Sequence, residues 1–138
     1  MASSVFDALA AEYKQIACGE GAQVAASVAN ALTTAERLES DRHWGAFSKD
    51  EAFKRRTRLL AWKQVAARRA ALDKLVHQDL LGIVQRMRKC GVSSELVEVY
   101  EKDIVLKSGI SVSISRGTLG QEEVYALLAV WAASPIRG

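Results

Sequence analysis

An aspartate and a histidine form the first candidate for a catalytic pair in this sequence. Asp73 and His77 lie four residues apart in a segment with helical periodicity, so their side chains can share one face of a helix. A carboxylate that orients an imidazole is one half of a nucleophilic catalytic site, which also needs a serine or cysteine. The local sequence places no such nucleophile beside the pair. It therefore favours an intrahelical hydrogen bond or salt bridge over a catalytic role.

The other candidate residues form no recognised catalytic or metal-binding pattern. Cys18 and Cys90 belong to no CxxC motif and have no metal-ligand spacing with the two histidines. Without a secretion signal, two reduced thiols are expected rather than a disulfide, and we interpret both as small apolar side chains. Residues 117–120 precede a predicted helix but lack the lysine of a phosphate-binding P-loop. We predict that the protein is not an enzyme and has no metal or cofactor.

Positive charge is concentrated in one segment of the chain. The formal net charge is +3, yet residues 49–89 hold twelve basic and four acidic residues, and the segments on either side are net acidic. Eight cations fall close together in the basic segment and form the predicted nucleic-acid-binding site: Lys54, Arg55, Arg56, Arg58, Lys63, Arg68, Arg69 and Lys74. Arginines outnumber lysines among them, and a guanidinium group can bind a phosphate in a bidentate manner.

On a helix that turns by about 100° per residue, most of these cations are predicted to occupy two adjoining sectors. The first sector holds Lys54, Arg55, Arg58 and Arg69. The second holds Arg56, Lys63 and Lys74. We expect the flank that they leave to carry the apolar residues Trp62, Val65 and Leu72.

This distribution of charge supports two hypotheses about function. The first is a non-enzymatic nucleic-acid-binding protein that contacts the phosphate backbone of RNA or DNA, with little sequence specificity. No helix-turn-helix, zinc-finger or RNP pattern distinguishes the two nucleic acids. The alternative is a helical adaptor or scaffold protein of a phage, plasmid or virus whose basic helix docks on an acidic protein or on itself. Glu36, Glu39 and Asp41 could also neutralise these cations internally.

The elements that must position these side chains are mainly helical. A single proline, Pro135, and abundant alanine favour long uninterrupted helices. Apolar residues at helical spacing predict helices over about residues 4–17, 22–42 and 49–89. A turn is expected at residues 18–21. The basic helix is expected to be one long helix or two consecutive helices, with a break near residues 75–81.

The ends of the basic helix carry their own signals. Ser48 and Glu51 have the spacing of a capping box, in which a serine hydroxyl and a glutamate satisfy free amides at a helix start. Gly91 is well placed to end the helix in the left-handed conformation. Both signals support a helix over most of the basic segment.

The chain changes character after residue 95, where β-structure is predicted. Ile110, Val112 and Ile114 alternate with serines, as in a strand with one exposed face. Ser108 and Gly109 can form a hairpin turn, so we predict a small antiparallel β hairpin or meander near residues 96–115. A short helix beginning at Ser93 or Ser94 is an open alternative for its first part. A final helix is expected at about residues 120–133.

The predicted fold class is therefore α+β, mainly α-helical, in a single domain that covers residues 1–138. No run of about 18 apolar residues is present, so no membrane span is expected. The lack of a basic and apolar N-terminal signal favours a cytoplasmic location. Long helices and free sheet edges both favour a homodimer.

Overall fold

Helices form nearly all of the computed structural model, which describes residues 2–44 and 50–135. In chain order, its α-helices are α1 (Ala2–Gln15), α2 (Ala22–Glu39), α3 (Asp41–Trp44), α4 (Glu51–Lys74), α5 (Leu81–Lys89), α6 (Ser94–Arg116) and α7 (Gln121–Ala133). Two π-helical segments, Ile16–Gly21 and Leu75–Leu80, connect α1 to α2 and α4 to α5 without a break in the helix. None of these helices has both the length and the apolar character needed to cross a membrane.

The β hairpin predicted near residues 96–115 is wrong, because this stretch is the helix α6 and no described residue lies in a strand. Its buried apolar residues recur at intervals that suit a helix: Val97, Tyr100, Ile104, Ile110 and Ile114. Val112, which the alternation placed on the same face as Ile110 and Ile114, is 49% exposed. The fold is therefore all-helical rather than α+β.

The physical reason for this error is that a spacing of four residues fits both patterns. Ile110 and Ile114 share a face in a strand and also in a helix. Their β-branched side chains cost at most about 0.7 kcal/mol each in a helix, which burial outweighs. Because there is no sheet among the described residues, a homodimer cannot form there through sheet edges. A homodimer that pairs the long helices stays a prediction.

The turn predicted at residues 18–21 is also absent. The chain instead passes from α1 to α2 through the π-helical segment Ile16–Gly21, which packs against the second segment, Leu75–Leu80. Gly21 lies at this crossing, and the indole of Trp131 in α7 donates a hydrogen bond to the carbonyl oxygen of Ala17 at 2.7 Å. The continuous helices α1–α2 and α4–α5 thus contact each other and α7 at their π-helical segments.

The basic helix begins and ends close to the predicted positions. Ser48 lies outside the described residues, and the structure shows Asp50 as the N-cap, with its carboxylate accepting from the amide of Phe53 at 3.1 Å. The helix continues to Lys89 through the π-helical segment at the place where a break was expected. Gly91 then adopts φ 78°, which is the left-handed conformation expected of it.

The first part of α4 lies outside the main core and contacts α2 and Trp44 of α3. The main cluster of buried residues joins α1, α2, α5, α6 and α7 and includes only Leu72 from α4. A second cluster, Val65 with Leu32 and Ala35, holds α4 against α2 in an antiparallel hairpin. Residues 51–64 contain no buried side chain. The first part of the basic segment is therefore accessible.

Candidate nucleic-acid interface

Three of the eight predicted cations make contacts inside the fold, and two of these contacts join α4 to α2 in the hairpin. Lys54 keeps only 12% of its side-chain exposure and pairs with a neighbouring glutamate at 3.3 Å. Arg58 Nε donates to the carbonyl oxygen of Leu38 at 2.8 Å, at the end of α2. Arg68 Nε donates to Ser27 Oγ at 2.6 Å. These three side chains have stabilising contacts within the fold, which reduces their capacity to bind phosphate.

The other five predicted cations are exposed and form no ion pair with any residue in the described ranges: Arg55, Arg56, Lys63, Arg69 and Lys74. Three of them lie within about 20° of one another around the helix axis, at Arg56, Lys63 and Lys74. This basic row extends about 27 Å along α4. It points away from the side of α4 that carries the buried Val65 and Leu72.

The predicted arrangement of the apolar flank is wrong for a geometric reason. Leu72 follows Lys54 by five full helical turns, so the two residues lie on the same side of α4. Val65 and Arg58 are close to that side as well. The first predicted sector therefore overlaps the buried face in part. Its Arg55 and Arg69 are exposed, as is the whole second sector, which is the basic row.

The acidic residues considered as internal partners do not neutralise the basic row. Glu39 accepts a hydrogen bond from Trp62 Nε1 at 2.8 Å, and neither Glu36 nor Glu39 forms an ion pair with a cation of α4. The side chain of Asp41 lies outside the described part of the chain. The positive potential of the row is therefore not cancelled by these two glutamates.

Exposed apolar side chains lie on both sides of the basic row. Leu59 is 55% exposed and Leu60 is 60% exposed. Phe53 and Trp62 are also partly exposed on α4. An apolar surface bordered by cations suits an amphipathic acidic protein as well as a nucleic acid.

The aspartate and histidine singled out in the sequence do come together, and the fold adds a serine. His77 Nδ1 lies 3.0 Å from Asp73 Oδ1 and His77 Nε2 lies 3.4 Å from the hydroxyl of Ser108 in α6. The order of groups resembles that of a serine hydrolase. However, Ser108 lies inside α6, where backbone amides donate within the helix and are not free to form an oxyanion hole.

The two cysteines occupy different environments. Cys18 is half-buried, and its thiol donates to the carbonyl oxygen of Ala132 at 3.1 Å. Cys90 is exposed, so the interpretation of both as apolar core side chains is wrong for Cys90. No group of three or more potential metal ligands occurs among the residues that the structure describes.

A buried polar cluster in the core was not found by sequence reasoning. Asp103 Oδ2 accepts hydrogen bonds from the Tyr13 hydroxyl at 2.5 Å and from Lys107 Nζ at 2.6 Å. Burial lowers the pKa of Lys107, although its bond to Asp103 opposes this change. Burial also raises the pKa of the Tyr13 hydroxyl, and the hydrogen bond to Asp103 raises it further. The spacing of Asp103 and Lys107 could have revealed the pair, had this stretch been predicted as a helix.

This all-helical fold with an exposed basic helix is not matched by known relatives. No protein-family model matches the chain, and comparisons with curated proteins and with solved structures found no significant match.

Proposed function

We propose that this protein is a non-enzymatic nucleic-acid-binding protein that contacts the phosphate backbone through the basic row of α4. The observation that carries the proposal is the alignment of Arg56, Lys63 and Lys74 on the face of α4 opposite its buried side. Cations without internal partners can neutralise phosphates and release condensed counterions. Because the row offers charge rather than shaped contacts to bases, we expect little sequence specificity.

The spacing of the row suits a repeating polyanion. Its three cations extend over about 27 Å, and duplex DNA carries a negative charge about every 1.7 Å along its axis. Each cation can therefore find a phosphate without a precise register. Arg55 lies about 100° from the row around the helix axis and can extend the contact, whereas Arg69, at about 140°, faces away from it. We place this activity in the cytoplasm, as the sequence predicts.

The test measures binding to duplex DNA, duplex RNA and single strands over a series of salt concentrations. Fluorescence anisotropy of the labelled nucleic acid reports the bound fraction. In the triple variant Arg56→Glu, Lys63→Glu and Lys74→Glu, we expect greatly weakened binding. The slope of log affinity against log salt on duplex DNA should fall by about 2.7, which is about 0.9 for each lost contact. Losses should be similar on unrelated sequences.

The matched control changes three other exposed lysines, Lys14, Lys89 and Lys102, to glutamate. They lie on α1, α5 and α6, and the substitution alters the net charge by the same amount. The control should keep most of the affinity and the salt slope of the wild type. Equal losses in the two variants, or no wild-type binding at about 50 mM salt, would overturn the proposal.

The exposed Leu59 and Leu60 favour a second candidate, an adaptor whose basic helix docks on an acidic protein. Those side chains would be buried by an amphipathic partner but contribute little to a phosphate contact. In this case Leu59→Ser and Leu60→Ser should abolish partner binding, whereas they should leave the affinity for nucleic acid nearly unchanged. Measuring both affinities for the same variant separates the two functions.

The non-enzymatic part of the proposal is supported by the position of Ser108 inside a helix, away from free backbone amides. A fluorophosphonate probe, which labels activated serines, is expected to leave Ser108 unmodified. Labelling that disappears in both Ser108→Ala and His77→Ala variants would show that the serine is activated and would contradict this part.

A further inference from the structure

A groove between α4 and α6 brings together two arginines that are far apart in the sequence. Its volume is about 610 Å³, and small apolar side chains separate its polar groups. The polar residues that line it are Arg69, Asp73, Ser111, Ser115 and Arg116. Only Arg69 belongs to the site predicted from sequence, because all eight cations of that site lie in the basic segment.

The donors in this groove have few contacts inside the protein. Arg69 and Arg116 are exposed and form no ion pair with a described residue. Ser111 and Ser115 are half-buried, and neither hydroxyl makes a hydrogen bond within the described structure. By contrast, the hydroxyl of Thr33 in α2 donates to the carbonyl oxygen four residues earlier at 3.0 Å. The groove therefore holds two guanidinium groups and two hydroxyls that are available to a ligand.

Among the described residues that line the groove, Asp73 is the one carboxylate, and its contact with His77 limits the repulsion of an anion. His77 Nδ1 lies 3.0 Å from Asp73 Oδ1, so a nitrogen already approaches one of the two carboxylate oxygens. With two arginines against one aspartate, the groove keeps a net positive charge. An anion is thus favoured over a cation at this place.

We propose that the groove binds a phosphate group, with Arg69 and Arg116 contacting its oxygens from two different helices. Ser111 and Ser115, which lie one turn apart on α6, donate further hydrogen bonds to the same group. A phosphate offers more acceptor oxygens than a carboxylate and can use guanidinium and hydroxyl donors together. The phosphate belongs either to a nucleic-acid backbone, which rests on the proposed function, or to a free phosphomonoester.

The first test is a titration of the full chain with inorganic phosphate, monitored by amide NMR spectra. Resonances of residues lining the groove should shift in a saturable manner. Arg69→Gln with Arg116→Gln should weaken binding by about tenfold or more, because charge-assisted hydrogen bonds are lost. The matched control is Arg37→Gln with Arg42→Gln, which removes two exposed guanidinium groups outside both the groove and the basic row and should leave the affinity nearly unchanged.

A variant that should gain affinity for phosphate provides an independent test. Asp73→Asn removes the only negative charge lining the groove and should tighten phosphate binding by severalfold, whereas Asp79→Asn, an exposed aspartate outside it, should not. Shifts spread evenly over the cations of α4 would overturn the proposal. So would a double Arg69 and Arg116 variant that loses no more affinity than its control.

The source of the phosphate is decided by competition with duplex DNA and with a phosphomonoester, phosphoserine. Displacement of inorganic phosphate by the duplex assigns the groove to the nucleic-acid backbone. Displacement by phosphoserine alone supports the site but assigns it to a free phosphomonoester. Because the phosphate titration needs no nucleic acid, failure of the proposed function and failure of this site give different results.

Discussion

Lys107 Nζ lies 2.6 Å from Asp103 Oδ2, and both side chains are buried where α1, α6 and the end of α7 meet. The ammonium group also donates to the carbonyl oxygen of Ser134 at 3.3 Å and lies 5.4 Å from the centre of the Trp131 ring. The second carboxylate oxygen of Asp103 is buried without a hydrogen-bond partner among the described residues. The pair therefore links the C-terminal end of α7 to the core while retaining one unsatisfied acceptor.

Removing one partner of this pair should cost more stability than removing the charge of both. Lys107→Met leaves a buried carboxylate without a counterion, and we expect it to lower the free energy of unfolding by about 3–5 kcal/mol. Adding Asp103→Asn removes that charge and keeps an acceptor for Tyr13, so part of the loss should be recovered. Urea unfolding of the two variants and the wild type tests this, and a double variant that is less stable than Lys107→Met would contradict it.

The raised pKa of Tyr13 predicts a loss of stability in alkaline solution. In the unfolded chain the hydroxyl ionises near its ordinary pKa of 10.0, whereas burial and the bond to Asp103 keep it protonated in the folded state. Its contribution is thus fully present below pH 10 and is lost as the pH rises above that value. Burial lowers the pKa of Lys107, so the folded chain loses this proton at a lower pH than the unfolded chain does. Lys107 therefore makes stability rise with pH below its ordinary pKa of 10.5, which is opposite to the effect of Tyr13.

Comparison with Tyr13→Phe isolates the tyrosine. The variant should be less stable at neutral pH by about 1–3 kcal/mol, because Asp103 loses a donor. The difference from the wild type should shrink when urea unfolding is repeated from about pH 8 to about pH 11. A difference that stays constant over this range would show that the hydroxyl does not remain protonated in the folded protein.

Two helical glycines should respond in opposite ways to alanine. A Cβ atom on Gly21 would lie 3.1 Å from both the carbonyl oxygen of Ile16 and Leu75 Cδ2, and 3.3 Å from Trp131 Cζ2. Overpacking at this crossing should make Gly21→Ala destabilising by about 1–3 kcal/mol despite the better helix propensity of alanine. Gly82 has no such neighbour within 4 Å, so Gly82→Ala should stabilise by about 0.5–1 kcal/mol. Thermal unfolding that ranks the two variants in the reverse order would refute the proposed close contact.

Two leucines of α4 test which side of the helix is buried. Leu72 is fully buried and Leu60 is 60% exposed. We expect Leu72→Ala to cost about 2–5 kcal/mol of stability, whereas Leu60→Ala should change it by less than about 0.5 kcal/mol. Equal effects in urea unfolding would mean that both sides of α4 are covered, for example by a second copy of the chain. That result would also count against an accessible basic row.

The helices of the first two-thirds of the chain could be predicted because their signals are local. Apolar residues at intervals of three and four, the glycine at position 91 and the scarcity of proline all act within one element. Leu72, which was predicted on the apolar flank of the basic helix, is buried for the same reason. A stripe on one helix shows that some face must be buried, but it does not show which neighbour will cover it.

The remaining features depend on how helices distant in the sequence pack together. Ile110 and Ile114 fit a strand or a helix locally, and packing of α6 against the core selects the helix. Arg56 and Arg58 are equivalent as residue types, yet one is exposed and the other contacts Leu38, because α2 covers one side of α4. The composition and charge pattern of the sequence determined that the chain has a basic helix. The groove that pairs Arg69 with Arg116 exists because two helices distant in the sequence lie side by side, a relationship that spacing along one helix cannot encode.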